Sequence, residues 1–340
     1  MQNKQIRLAS RPTGMPTAET FQFTDADVPK PNDGEVLLKT IYMSVDPYLR
    51  GRMRDRKSYV APFEVGQVIE NAAVGKVVES RSPVFQPGDI AMGMLPWQLY
   101  ATADARKLQK INPSLAPVQT SLGVLAMPGL TAYFGLLDIT QPQSGETVVV
   151  SGAAGAVGGV VCQIAKIKGC RVVGIAGGDD KKQYLLDELG LDAAINYKSA
   201  SGAKSFVDLR DELAQSCPEG VNIYFDNVGG EISDAVMTLL TTGARVSVCG
   251  QISMYNLDKP DIGLRPQPFL LMNRATMKGF IIFDYAPRYA EGIRDLGKWV
   301  AEGKIKYAET VVEGFENAPK AFLGLFKGEN IGKALVKVPE

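Results

Sequence analysis

At 340 residues, with 45% hydrophobic and 22% charged side chains, the chain has the composition of a folded protein large enough for two cores. Its 37 Lys+Arg are balanced by 37 Asp+Glu, so no net field draws it to nucleic acid or to an acidic membrane surface. It contains no histidine, which removes the usual catalytic zinc ligand, the Ser-His and Cys-His hydrolases and any imidazole acid or base.

The opening MQNKQIRLAS lacks the apolar stretch of a signal peptide, and no run reaches membrane-spanning length. Cys162, Cys170, Cys217 and Cys249 are scattered, with no C-x-x-C pair, and read as reduced thiols of a cytoplasmic protein. The first 125 residues or so are strand and turn in character. EVLLKTIYMS (35–44) is a strand closed by Asp46-Pro47, VGKVVE (74–79) is another, and Pro87-Gly88-Asp89 turns into IAMGM.

From Leu130 the pattern changes. TAYFGLLDI reads as a helix, 147–150 as a strand and 159–168 as the helix after it. Strands at 171–176, 192–197, 221–227, 244–249 and 277–283 then alternate with helices at 180–189, 203–215 and 231–240. Six strands in β-α alternation predict a doubly wound parallel α/β sheet. A helix over 286–301 leads to a strand near 307–312, a helix over 318–327 and a closing strand over 334–338. The closing strand is expected to pair back into the β-rich N-terminal part. The predicted division is therefore 1–127 with 302–340 as one domain and 128–301 as the other.

The run VVVSGAAGAVGG (148–159) carries the chemistry. Ala153, Gly155 and Gly158 have the spacing of the dinucleotide fingerprint G-x-G-x-x-G, between a β-rich run and an amphipathic one. Such a turn brings backbone N–H groups and a helix N-terminus against a pyrophosphate. The second strand ends in Gly177-Gly178, where NAD-selective folds place an acid, and Lys181 follows one helical turn later. The glycines leave room for a 2′-phosphate and the lysine pairs with it, so NADP(H) is the expected cofactor. Asp179 fits as the cap of the next helix, or as an acid reaching a ribose and favouring NAD. Tyr255 follows the fifth strand on its carboxyl-end loop, where ligands of open α/β sheets bind; it is either a polar anchor for substrate or a half-buried core tyrosine. Arg50 and Arg52 are expected to hold their loop through carboxylate pairs.

MPGLTAYFGLLDI (127–139), FDNVGG (225–230), CGQISMYN (249–256) and GENIGKALVKV (328–338), with LASRPTGMPTAETF (8–21) and SVDPYLRGRM (44–53), resemble the medium-chain dehydrogenase/reductase superfamily. Within it the chain is similar to the zinc-free prostaglandin reductase (leukotriene B4 12-hydroxydehydrogenase) and alkenal double-bond reductase family, which includes bacterial curcumin reductases. The resemblance spans nearly the whole chain. It implies a Rossmann domain joined to a β-rich GroES-like domain, and NADPH-dependent reduction of the C=C bond of α,β-unsaturated aldehydes and ketones. It further implies that Gly155, Ala156, Val157, Gly158 and Gly159 hold the pyrophosphate, and that Lys181 and Tyr197 hold the adenosine 2′-phosphate region. Asn227 and the segment from Cys249 to Tyr255 line the site, Phe280 and Ile282 lie beside the nicotinamide, and Asn330 comes from the closing segment. The family often has serine where this chain has Gly178. Tyr255 and Tyr48 are the candidate catalytic groups, Tyr48 facing the site from the β-rich domain, and the ribose hydroxyl of NADPH is the alternative donor to the enolate oxygen. The apolar run 279–283 is expected to be an edge strand that pairs two copies into a homodimer. The competing readings are an NADPH quinone reductase and a non-catalytic NADPH-binding structural or sensor protein. No metal is expected.

Overall fold

The computed structural model describes residues 2–199 and 202–339. The chain forms two compact units, one running to Gly123 and resuming at Glu309, the other spanning Val124–Ala308. These divisions lie four and seven residues from the expected 127/128 and 301/302.

The first unit is built on a seven-stranded sheet. Its centre is Glu35–Ser44, paired antiparallel with Glu70–Ser80, Tyr100–Asp104 and Lys333–Lys337. The C-terminal strand thus closes the N-terminal sheet, with Leu335 opposite Ser44. Alternate residues of these strands bury Val36, Leu38, Met43, Ala73, Val77 and Val336 in one core with Phe63 and Trp97. The helix Ala318–Lys327 adds Phe322 to it and ends on Gly328 in the left-handed conformation. A separate antiparallel pair, Gln2–Leu8 with Phe21–Asp27, has no counterpart in the sequence reading.

The second unit carries a six-stranded parallel sheet in the chain-order sequence 3-2-1-4-5-6. Its strands are Thr147–Ser151, Arg171–Ala176, Ala193–Asn196, Val221–Asp226, Leu240–Val248 and Thr276–Gly279. The first strand is buried at every position, as expected where helices cover both faces. Val148 and Val150 face one core while Val149 faces the other. The strand order reverses between the first and fourth strands, and their carboxyl ends form the crevice where this architecture binds ligands. Among the described residues no helix is long and apolar enough to cross a membrane.

The sixth strand corrects the sequence reading. GFIIF does not run on as an edge strand over 279–283: the strand stops at Gly279 and Ile282–Arg288 is a 3-10 turn. Phe280 turns inward instead, so that a Cβ on Gly135 of the helix Met127–Thr140 would come within 2.8 Å of its ring and 2.9 Å of Phe225. Ile282 is buried in the same core. Phe280 and Ile282 fold back onto the core, while Phe283 stays exposed. The exposed edge is Thr276–Gly279, with every residue open to solvent.

Candidate active site

The first strand leaves the sheet through Gly152, in the left-handed region at φ 60°. The Gly155 amide returns to the Gly152 carbonyl at 3.0 Å, and the helix Gly158–Ile167 starts at once. A Cβ on Gly158 would stand 2.9 Å from Ala153 Cα and collide with the Gly152 carbonyl. Ala153 takes the fingerprint's first glycine place because its methyl is wholly buried against Gly174, whose own Cβ would come within 3.0 Å of it. The amides of Gly159, Val160 and Val161 bond to Gly155 and Val157 carbonyls. Those of Ala156, Val157 and Gly158 stand at the start of that helix. Such amides at a helix N-terminus fit a pyrophosphate.

At the end of the second strand, Gly178 stands at φ 121° and ψ 148° and precedes the helix Asp179–Asp187. Asp179 does not cap that helix with its side chain. One of its oxygens accepts from Asn196 Nδ2 at 2.9 Å, while Asn196 Oδ1 accepts from the Gly178 and Lys198 amides at 2.8 and 3.0 Å. A Cβ on Gly177 would come within 2.8 Å of the Tyr197 ring and 2.9 Å of Lys198 Cε. Lys181 is only 9% exposed. Burial, with Lys198 near it, holds its ammonium below the ordinary lysine value against the pull of Asp180. Gly177, Gly178, Lys181, Tyr197 and Lys198 thus form a basic, glycine-floored corner that fits a 2′-phosphate. Lys198 escaped the sequence reading, although it follows Tyr197 directly in NYK.

The carboxyl ends of the first, fourth and fifth strands meet around Asn227. It is tied to the first strand, donating its backbone N–H to Ser151 Oγ at 2.9 Å and its Nδ2 to the Ser151 carbonyl at 2.7 Å. A Cβ on Gly250 would approach the Asn227 carbonyl at 3.3 Å and the Tyr255 hydroxyl at 3.4 Å. Tyr255 accepts from the Gln251 amide at 3.5 Å, leaving its own O–H proton to donate. Burial raises its phenol above the ordinary value, and Cys249 and Asp226 add to the shift. Burial likewise pushes the Cys249 thiol up to about 12, so it is no nucleophile at neutral pH. The Phe280 and Ile282 side chains are spent on the core, and the Ile282 carbonyl accepts from the Tyr289 hydroxyl at 3.0 Å.

Tyr48 and Asn330 belong to the first unit. Asn330 Nδ2 donates to the Gly332 carbonyl at 2.8 Å, in the turn before the closing strand. Tyr48 donates its proton to Asn71 Oδ1 at 2.8 Å, which occupies the proton a catalytic donor would need. Burial, reinforced by Asp46, raises its phenol strongly. Asn71 Nδ2 in turn donates to the Ser44 carbonyl and to Asp46 Oδ2, and the buried Lys333 pairs with Asp46 at 3.2 Å. The neighbouring arginines are structural, but not mainly through carboxylates. Arg50 is wholly buried and donates to the Pro12 and Gly14 carbonyls at 3.2 and 2.7 Å. Arg52 donates to the Ala61 carbonyl at 3.0 Å and lies 3.8 Å over the Phe63 ring, with Glu70 at 4.0 Å.

Residues 4–111 match the family model described as the N-terminal domain of oxidoreductase, and residues 156–298 match the zinc-binding dehydrogenase model. The Bacillus subtilis protein YfmJ is 54% identical over 339 residues, covering 99% of this chain and 98% of that protein. The NADPH-dependent curcumin reductase of Escherichia coli is 46% identical over 99% of this chain and 97% of its own length. A crystal structure of Vibrio vulnificus CurA in complex with NADPH superposes with a TM-score of 0.92 at 46% identity, over 99% of both chains. A doubly wound sheet with this glycine turn, carried with a β-rich unit, defines a dinucleotide-dependent oxidoreductase. The chain belongs to the zinc-free medium-chain dehydrogenase/reductase family that includes the curcumin, prostaglandin and 2-alkenal reductases. The name of the second family model refers to zinc-binding members, whereas this chain has no histidine at all.

Proposed function

We propose that the protein reduces the C=C bond conjugated to an aldehyde or ketone, with hydride added at the β-carbon and no metal in the reaction. It is an NADP-dependent oxidoreductase acting on carbon–carbon double bonds, and its cofactor is NADPH. Bound NADPH supplies the hydride.

The chain's own residues bind and orient. The amides of Ala156, Val157 and Gly158 take the pyrophosphate, and Lys181, Lys198 and Tyr197 take the adenosine 2′-phosphate. As hydride reaches the β-carbon, negative charge moves to the substrate's carbonyl oxygen as an enolate, where a donor in a dry site stabilises it, and a proton then reaches the α-carbon to complete the reduction. Tyr255 is that donor. The observation that carries the reading is its hydroxyl, which accepts from the Gln251 amide and keeps its proton at the carboxyl end of the sheet. Tyr48, whose proton is committed to Asn71, has none left to donate.

The test is Tyr255→Phe, assayed with NADPH on a 2-alkenal, a ring enone, an aryl enone and a quinone. The variant is expected to fold and bind NADPH but to lose turnover on the enones. An unchanged kcat/KM on several enones overturns the assignment, and a quinone turned over far faster than any enone favours quinone reduction instead. We also infer a homodimer, paired through the exposed edge Thr276–Gly279, because an uncovered strand edge invites a second strand.

A further inference from the structure

Asp226 ends the fourth strand with 2% exposure, and every group around its carboxylate is a donor. Oδ1 accepts from Ser151 Oγ at 3.0 Å, the Tyr224 hydroxyl at 2.8 Å, and the Val228 and Gly229 amides at 3.0 and 2.9 Å. Oδ2 accepts from Ser233 Oγ at 2.8 Å and Gln251 Nε2 at 2.8 Å. All but one of these partners lie on the first and fourth strands or the turn and helix that follow the fourth. The exception is Gln251, which belongs to the loop that follows the fifth strand and carries Tyr255. It reaches the carboxylate only because residue 229 is glycine, at φ 74°, where a Cβ would stand 2.7 Å from Gln251 Cδ. The rest of the loop is tied down by backbone, with the Ser253 amide donating to the Val228 carbonyl at 3.1 Å. The Gln251 amide then donates to the Tyr255 hydroxyl.

We propose that Asp226 and Gln251 are positioning residues for Tyr255: the carboxylate holds the Gln251 side chain, which fixes the Gln251 amide under the phenol oxygen and so directs the Tyr255 proton outward as a donor. The inference rests on the reading of Tyr255 as the donor to substrate. The place suits a side chain that accepts at both oxygens and donates at neither, because every neighbour is a donor. An asparagine would set its own NH2 against that of Gln251, whose amide cannot turn over without losing its bond to the Gly250 carbonyl at 2.9 Å.

Four variants test it: Gln251→Met, Gln251→Glu, Asp226→Asn and the double Asp226→Asn/Gln251→Glu. In the double, the side-chain amide introduced at position 226 would donate to the carboxylate introduced at position 251, restoring the tie with its direction reversed. In apoprotein labelled with 13C at tyrosine Cζ, the Tyr255 resonance, assigned by its loss in Tyr255→Phe, is expected to move in each single variant and to return in the double. With NADPH and an enone, kcat is expected to fall on the order of tenfold to a hundredfold in the singles and to recover in the double. In a Tyr255→Phe background Gln251→Met is expected to cost nothing more. A resonance and kcat unmoved in Gln251→Met overturn the proposal, as does a loss that multiplies with that of Tyr255→Phe. If Asp226→Asn does not fold, the Gln251→Met pair decides alone. Tyr255→Phe at full rate sinks the donor reading itself, whereas an impaired Tyr255→Phe beside fully active Gln251 variants sinks only the positioning.

Discussion

Replacing Lys181 with alanine removes the most buried cation in the corner formed by Gly177, Gly178, Tyr197 and Lys198. A hydrogen bond to a charged group is worth about 1.5–3 kcal/mol, and the Coulomb ceiling for unit charges at 4 Å near a protein surface is about 4 kcal/mol. Lys198 remains to share the load, so the lower range applies. At about 1.4 kcal/mol per decade, NADPH should bind roughly 10- to 100-fold more weakly. NADH, without the 2′-phosphate, should be nearly unaffected. The pH dependence gives a second handle. Burial and Lys198 hold the Lys181 ammonium of the cofactor-free protein below its ordinary 10.5, and a bound phosphate would raise it, so binding takes up a proton. Affinity for NADPH should therefore fall as pH rises through the depressed value of the cofactor-free protein, and that fall should be absent in Lys181→Ala. Fluorescence titration with both cofactors across the alkaline range reads each quantity. Equal losses for NADPH and NADH, or no loss for either, refute the assignment of this corner to the 2′-phosphate.

Gly178→Ser, which restores the residue common in the family, should destabilise this chain by about 1–3 kcal/mol, because φ 121° with ψ 148° is glycine territory; an unchanged Tm would show that the backbone relaxes freely. Alkaline stability should be flat up to the ordinary thiol value of 9.0 and fall above it. Burial pushes Cys170 and Cys217 up to about 11 and Tyr224 well above 10.0. The unfolded chain thus releases protons first, and unfolding becomes easier as pH rises; a Tm that does not move as pH passes through the ordinary values of 9.0 and 10.0 refutes this. A Met277→Asp variant, charged at an exposed edge position, should run as a monomer by light scattering where the unaltered protein runs as a dimer. A monomeric unaltered protein would end that reading.

Much of the nucleotide-binding unit was legible because its signals are local. A buried parallel strand announces itself as VVVS or RVVGIA, a tight turn needs glycine at positive φ, and the helix Gly158–Ile167 shows its apolar period in the chain itself. What went astray depended on direction and partner. GFIIF has the composition of a strand, but composition does not say that Phe280 turns in against Gly135. Asp179 has the placement of a cap, but Asn196, seventeen residues away, takes its carboxylate. Arg50 and Arg52 have the charge for ion pairs, but the carbonyls of Pro12, Gly14 and Ala61 reach them first.

The sequence by itself pointed to the class of chemistry: a glycine turn suited to a pyrophosphate, a lysine in place of an acid suited to a 2′-phosphate, and no histidine for zinc or proton transfer. Those properties reside in residue identity and short spacing. The tertiary structure decided which hydroxyl is left to donate. Tyr48 and Tyr255 are equivalent as letters, yet one gives its proton to Asn71 and the other accepts from Gln251. Those partners are in turn held by Asp46, Lys333 and Asp226, from distant parts of the chain. A polar side chain's role is set by which donors and acceptors the fold brings to it, and that pairing has no period along the sequence.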